Sequence, residues 1–291
     1  MKFALQRCCT TPTFLKQYES STNAVLGKLG VALIDMKDFN CCGYPLKNFD
    51  FKAYLLSSAR NLSLAEKENL NIMTFCNCCY GSLKHARHVL MEDDSLRKEM
   101  NVVLDKENLC YNNNVKVKHL LEVLYRDIGI DSIRDLISKK FKGLKIATHY
   151  GCHLLRPRKI MQFDNPFAPT LFDELVEITG AESVPWATKL ECCGSPLYGV
   201  DDELSMDLME NKIIDAKKSG ANYFCVACCY CQLQFDRVQK VMISKRNGNG
   251  HQKLPSILYT QLLGLCLGID PDTLGINQNE LDIGQIVKFL S

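Results

Sequence analysis

No run in this chain approaches the roughly 18 uninterrupted apolar residues that a bilayer-spanning helix needs. A surplus of one charge is missing as well: 35 Lys and Arg against 33 Asp and Glu leave a formal +2. That balance removes the electrostatic case for nucleic acid or an anionic membrane surface as a partner. The first residues, Met1-Lys2-Phe3-Ala4-Leu5-Gln6-Arg7, lack the apolar stretch and small-residue cleavage site of a signal peptide, so a cytoplasmic protein is expected. No G-x-G-x-x-G follows a candidate strand, which speaks against a resident flavin or nicotinamide. The ferredoxin run C-x-x-C-x-x-C-x-x-x-C-P is absent too.

Cysteine, by contrast, is abundant, with 16 in 291 residues. A disulfide framework is one reading. A reducing compartment does not keep one, and a chain that is 46% apolar is long enough to build a core without staples. Metal binding or redox chemistry is the stronger reading. The cysteines fall into two copies of one pattern: Cys9, Cys41-Cys42-Gly43 and Cys76-x-x-Cys79, then Cys152, Cys192-Cys193-Gly194 and Cys228-x-x-Cys231. The gaps are 31 and 33 residues in the first copy and 39 and 34 in the second. Each copy holds five thiols, where a mononuclear zinc site takes four. Five suit a multinuclear iron–sulfur site, and the missing ferredoxin run argues against ordinary cubanes. Two zinc ribbons would need two Cys-x-x-Cys pairs per copy and would leave the Cys-Cys pairs unused.

The repeat extends beyond cysteine. Lys2-Phe3-Ala4-Leu5 leads to Cys9 as Lys145-Ile146-Ala147-Thr148 leads to Cys152. Short apolar runs near 2–6, 31–36 and 71–75 predict strands, matched at 144–148, 181–186 and 222–226. Helical patterns cover 17–29, 51–69, 170–179 and 201–219, with Gly30, Gly180 and Gly220 at C-cap positions. Further helices are expected over 80–91 and 232–243, each opened by a Cys-x-x-Cys, where a helix N-terminus favours thiolate. Residues 94–143 read as a linker plus helix, Asn112–Asn114 and Asn247–Gly250 as surface loops, and 253–269 as a further apolar segment. The expected fold is α/β: two similar repeats, residues 1–140 and 141–291, each a small parallel sheet with flanking helices and a cluster at the strand ends.

Six cysteines lie outside the pattern. Cys110, Cys225 and Cys266 read as small buried hydrophobes. Cys8, Cys78 and Cys229 sit beside proposed ligands, and the doublets Cys78-Cys79 and Cys228-Cys229 leave the register open; matched spacing favours Cys76 with Cys79 and Cys228 with Cys231. His153 is a candidate proton donor or substrate contact, weighed against a surface role. Arg156 and Arg158 could hold an acidic substrate tail or open a solvated helix. His85 and His88 read as surface residues.

At Cys41-Cys42-Gly43, Cys76-Asn77-Cys78-Cys79-Tyr80-Gly81-Ser82-Leu83, His149-Tyr150-Gly151-Cys152-His153, Cys192-Cys193-Gly194 and Cys231-Gln232-Leu233-Gln234-Phe235-Asp236, the chain resembles the cysteine-rich Cys-Cys-Gly domain family. Within it, the resemblance is to the B-type chains of methanogen heterodisulfide reductases. It implies two non-cubane [4Fe-4S] clusters, one on Cys9, Cys41, Cys42, Cys76 and Cys79 and one on Cys152, Cys192, Cys193, Cys228 and Cys231. It implies a substrate, the mixed disulfide of coenzyme M and coenzyme B, cleaved between the clusters to two thiols. It also implies partners: the cubane iron–sulfur (C-type) and flavin-bearing (A-type) subunits of a heterodisulfide reductase, with a hydrogenase or formate dehydrogenase behind them. The family usually has glycine where Cys78 stands and proline where Cys229 stands. Related domains serve succinate-, lactate- and glycolate-oxidising complexes, so an electron-transfer role without a disulfide substrate is the alternative. A zinc-bound interaction module is the non-enzymatic one.

Overall fold

The computed structural model describes residues 1–246 and 253–291. The expected loop at Asn247–Gly250 lies outside the described residues. Two four-stranded sheets organise the chain, and every pairing within them is parallel. The first runs β2-β1-β3-β4, from β1 (Lys2–Leu5), β2 (Ala32–Asp35), β3 (Ile72–Thr74) and β4 (Val117–His119). The second runs β6-β5-β7-β8, from β5 (Lys145–His149), β6 (Glu182–Ser183), β7 (Tyr223–Val226) and β8 (Ser256–Leu258). The order is the same in both, as a duplication requires. Strands β3 and β7 are buried along their whole length, which suits inner parallel strands covered on both faces.

The crossover helices form for local reasons. Asp50 caps the helix Phe51–Lys67 by accepting from the Ala53 N–H at 2.9 Å, and Asp201 caps Asp202–Lys218 from the Leu204 N–H at 3.0 Å. Both helices bury one stripe at helical spacing: Tyr54, Leu55, Ser58, Asn61, Leu62 and Ala65 in one, Ser205, Met206, Met209, Lys212, Ile213 and Ala216 in the other. Four of those stripe residues are polar: Ser58 and Ser205 donate to the Cys42 and Gly194 carbonyls, and Asn61 and Lys212 to the Asn40 and Glu191 carbonyls, each just before a Cys-Cys pair.

The expected strands and helices are present within a few residues of their bounds. β4 and β8, the fourth strand of each sheet, were not expected. β8 opens the 253–269 segment, which then continues as the helix Tyr259–Cys266. The helix expected over 232–243 is Cys229–Leu233, a wider π-helical turn at Gln234–Val238, and Gln239–Lys245.

The sheets belong to one continuous apolar core. Helix Lys16–Lys28 of the first half packs on Tyr259–Cys266 of the second, where Ser21 Oγ and Thr260 Oγ1 lie 2.7 Å apart. Helix Asn77–Glu92 packs on Cys152–Leu155, and Asn77 Nδ2 donates to Tyr150 O at 2.7 Å. These two contacts bring the cysteine-bearing ends of both sheets face to face.

Candidate metal centre

Each cysteine is delivered by the same three local devices. Cys9 follows β1 and Cys152 follows β5. Cys76 and Cys228 are the extended N-cap residues of the helices that leave β3 and β7. The Cys-Cys-Gly segments turn at Gly43 (φ +82°) and Gly194 (φ +87°), a left-handed conformation that glycine adopts without strain. Space also demands glycine there: a Cβ on Gly43 would meet Tyr54 O at 2.8 Å, and one on Gly194 would meet Ser205 O at 2.4 Å. Hydroxyls hold the same turns from the capped helices: Ser57 Oγ donates to Cys41 O and Ser58 Oγ to Cys42 O, both at 2.7 Å, and Ser205 Oγ to Gly194 O at 3.0 Å.

All 16 cysteines are free thiols. In the first half, Cys9 lies close enough to Cys41, Cys41 to Cys42, and Cys42 to Cys79 for one thiol to shift the other's ionisation. In the second, Cys193 Sγ is 3.7 Å from that of Cys231, and the pairs Cys152 and Cys192, Cys192 and Cys193, and Cys228 and Cys231 lie close enough to shift each other's ionisation. The two sets meet at Cys76 and Cys228, which lie close enough to shift each other's ionisation. Cys78 lies close enough to act on both of these, and Cys229 to act on Cys76 and Cys8. The structure therefore gathers the ten pattern cysteines, with Cys8, Cys78 and Cys229 packed into the seam.

Cys8 is a residue the sequence reading left open. Its Sγ lies within 4.8 Å of those of Cys76 and Cys79, deep in the structure, while Cys9 is exposed. Cys225 and Cys266 are buried, as expected, but Cys110 is not: it is exposed in the segment after Asp94–Leu104, where no element covers it. His85 is also less exposed than expected. Its Nδ1 lies 3.0 Å from Tyr54 Oη, which donates to Ser82 O, and its ring packs edge-on against Phe51.

Crowded thiols share protons unequally. The Cys41 thiol holds Cys42 well below the ordinary thiol range, and Cys152 does the same to Cys192. Cys229 pulls Cys8 down to about 6. Thiolate is the form that binds metal, so the sets offer soft anionic donors among buried neighbours. A second group, His149, Cys193 and Cys231, also places its ligand atoms within 4.8 Å of one another. Free, mutually adjacent thiols, most of them buried, fit an iron–sulfur group on chemical grounds.

His153 sits on the seam between the halves. Its ring packs edge-on against Tyr44, with centroids 5.3 Å apart, and Nε2 lies 3.5 Å from Tyr44 Oη. Burial lowers its pKa below the ordinary imidazole value. Tyr44 also faces Tyr230 at 6.3 Å, and Tyr230 Oη lies 3.9 Å from Cys9 Sγ. A cleft of about 420 Å³, bordered by Arg7, Cys8, Cys9, Phe39 and Cys41, opens the first set to solvent. Arg158 lines a different cleft, of about 770 Å³, with Arg126 and Lys159 and no cysteine; Arg156 is exposed.

Two buried polar residues beside the second set were missed from sequence. His149, 1% exposed, has no hydrogen-bond partner on either ring nitrogen. Lys212, also 1% exposed, places Nζ 4.6 Å from the centroid of the Trp186 ring, and burial lowers it to about 8. The available signal was a lysine falling in the apolar phase of its helix.

The pattern of the cysteine-rich domain (CCG) family matches residues 3–84 and 146–236. Over all of its length and 96% of the relative's, the chain is 36% identical to the B-type chain of the ferredoxin/F420H2-dependent CoB-CoM heterodisulfide reductase of Methanosarcina acetivorans. It is 32% identical to the membrane anchor of the 8-methylmenaquinol:fumarate reductase of Wolinella succinogenes, over 97% of both chains. A crystal structure of a hypothetical protein from Helicobacter pylori superposes on 97% of this chain with a TM-score of 0.77 at 16% identity; the chain spans 52% of that one, and the likeness concerns the fold. No helix among the described residues is long and apolar enough to cross a membrane.

Proposed function

The chain belongs to the cysteine-rich CCG domain family, and from that premise we propose that it is the disulfide-cleaving component of a heterodisulfide reductase. At the coarser level it is a cysteine-rich iron–sulfur oxidoreductase component of a multi-subunit reductase. In the finer reading, residues 1–140 and 141–291 each hold one non-cubane [4Fe-4S] cluster. The ligands are Cys9, Cys41, Cys42, Cys76 and Cys79 in the first and Cys152, Cys192, Cys193, Cys228 and Cys231 in the second. The substrate is the mixed disulfide of coenzyme M and coenzyme B. Electrons come from the cubane-bearing and flavin-bearing partners, with a hydrogenase or formate dehydrogenase behind them.

One observation carries this reading: the two cysteine sets meet, with Cys76 and Cys228 close enough for each thiol to shift the other's ionisation. Reducing a disulfide takes two electrons and two protons, R–S–S–R′ + 2e⁻ + 2H⁺ giving RSH and R′SH. Iron–sulfur clusters, when bound, supply electrons singly, so two adjacent sites match one S–S bond. This chain's own residues do the rest. Buried Cys76, Cys79, Cys228 and Cys231 keep water from the seam. His153 delivers a proton at the seam, with Tyr44 packed edge-on against its ring to orient it. Burial lowers its pKa, so the imidazolium, when formed, gives up its proton readily. The cleft at Cys9 and Cys41 admits a small molecule to the first set.

The similarity to a fumarate reductase component favours a second reading, in which the chain passes electrons and binds no disulfide. The test is iron, acid-labile sulfide and EPR spectra on anaerobically purified protein, with and without coenzyme M. About eight irons and a new paramagnetic signal on adding the thiol support the first reading. The same iron with no thiol response supports electron relay, and zinc without iron refutes both.

A further inference from the structure

The duplication is broken at one pair of buried positions. Gln6 and His149 directly follow the matched segments Lys2-Phe3-Ala4-Leu5 and Lys145-Ile146-Ala147-Thr148. Asn61 and Lys212 each lie eleven residues past the aspartate that caps their helix. Their contacts agree with this equivalence. Asn61 Nδ2 donates to Asn40 O at 2.9 Å and Lys212 Nζ to Glu191 O at 3.3 Å, each oxygen belonging to the residue before a Cys-Cys pair.

In the first half this pair is neutral and closed on itself. Asn61 Nδ2 donates to Gln6 Oε1 at 2.9 Å, and Gln6 Nε2 donates to Arg7 O at 3.2 Å and Asn40 O at 3.1 Å. In the second half the amides are replaced by an imidazole and an ammonium, and neither is closed. No partner lies at close hydrogen-bond geometry to either His149 nitrogen, the Lys189 backbone acts on the ring from farther off, and one of the nitrogens lies within 4.8 Å of both Cys193 and Cys231. Lys212 Nζ donates to the carbonyls of Thr188 and Glu191 and faces the Trp186 ring. Among the described residues no carboxylate forms an ion pair with it. A buried cation needs a counter-charge. The ionisable groups near enough to act on this one are Cys193, Glu191, Cys231 and Cys192, three of them thiols of the second set that would be thiolates once they hold metal.

We propose that His149 and Lys212 are positioning residues that make the two cluster sites unequal: Lys212 is the buried counter-charge of the second site, and a His149 N–H donates to its sulfur. The second site then takes an electron at a higher potential than the first. A fixed positive charge and an N–H···S bond both favour the reduced, more negative state, and hydrogen bonding to sulfur is an established lever on cluster potential. Where electrons arrive singly and leave as a pair, the inequality sets their order of arrival. The inference rests on the iron–sulfur reading above.

The experiment is an EPR-monitored redox titration of the anaerobically purified full chain, alongside its iron content. The wild type is expected to show two separated reductive transitions. Lys212→Met should lower the upper transition and leave the other in place, and His149→Gln, which restores the first half's amide, should shift it the same way by less. Lys212→Arg should keep the wild-type separation. The wild-type separation needs no variant, so the proposal is decided even if Lys212→Met does not fold. A chain that binds its iron yet reduces at both sites together overturns the proposal and leaves the function standing. So does a Lys212→Met variant that moves both transitions equally or neither. A wild type that holds no iron overturns the underlying reading, and the proposal with it.

Discussion

Replacing Gly194 by alanine tests whether the Cys-Cys-Gly turn is set by backbone geometry. Two costs are readable from the structure. At φ +87° an alanine is held in the left-handed region, at roughly 1–2 kcal/mol. Its Cβ would also lie 2.4 Å from Ser205 O, 3.2 Å from Ser205 C and 3.3 Å from Gln234 Nε2. That backbone is not free to retreat: Ser205 Oγ donates to Gly194 O at 3.0 Å, Gln234 Nε2 donates to Ser205 O at 3.1 Å, and Asp201 caps the helix. Forcing the overlap adds about 1–3 kcal/mol, for a total of about 2–5 kcal/mol. Unfolding entropy of about 2.1 cal/mol/K per residue over 291 residues gives about 0.6 kcal/mol/K, so the melting temperature should fall by roughly 3–8 °C. The control is Gly30→Ala, at φ +74° with nothing within 4 Å of the added carbon, where only the backbone term remains and the fall is about 2–3 °C. Because the turn carries Cys192 and Cys193, the shift also breaks the 3.7 Å approach of Cys193 to Cys231, and iron content should drop by about half. Scanning calorimetry and an iron assay read both effects. A Gly194→Ala protein that melts no lower than Gly30→Ala and keeps full iron would refute the reasoning.

Cys76→Ala should lose about half of the bound iron and Cys78→Gly almost none, since only the first is placed as a ligand; equal losses in an iron and sulfide assay would move Cys78 into the ligand set. His153→Gln should keep its iron while disulfide reduction slows by roughly 10²-fold, the contribution of a positioned proton donor; unchanged turnover would remove His153 from proton delivery. Asp236, buried and accepting from the Glu280 and Leu281 N–H groups at 2.9 and 2.8 Å, is pushed by burial from 3.8 up to about 6. A carboxyl raised in the fold contributes stability below about pH 4 and loses it as pH rises through about 6, a change of about 3 kcal/mol. The stability of wild type relative to Asp236→Asn, from urea unfolding, should therefore decline between pH 4 and pH 7, and a flat difference would contradict the assignment.

The sequence alone determined the duplication and the α/β class. Both are written in local signals: matched cysteine spacing, short apolar runs of strand length, helix caps and C-terminal glycines, each legible within a few residues. The fourth strands escaped because Val117–His119 and Ser256–Leu258 are three residues each, too short to show a period, and pair only because β3 and β7 already present free edges. The family-level redox reading was legible in the cysteine pattern, and it is the tertiary fold that decided which thiols meet. Packing of Asn77–Glu92 on Cys152–Leu155 brings Cys76 to Cys228 across a separation of 152 residues, which no spacing rule encodes. Burial was decided there too: Cys8 lies inside and Cys9 outside although they are neighbours in the turn that follows β1. His149 and Lys212 look like an ordinary strand residue and an ordinary helix lysine until the fold encloses them, since the cost of an unpaired charge exists only once water has been removed.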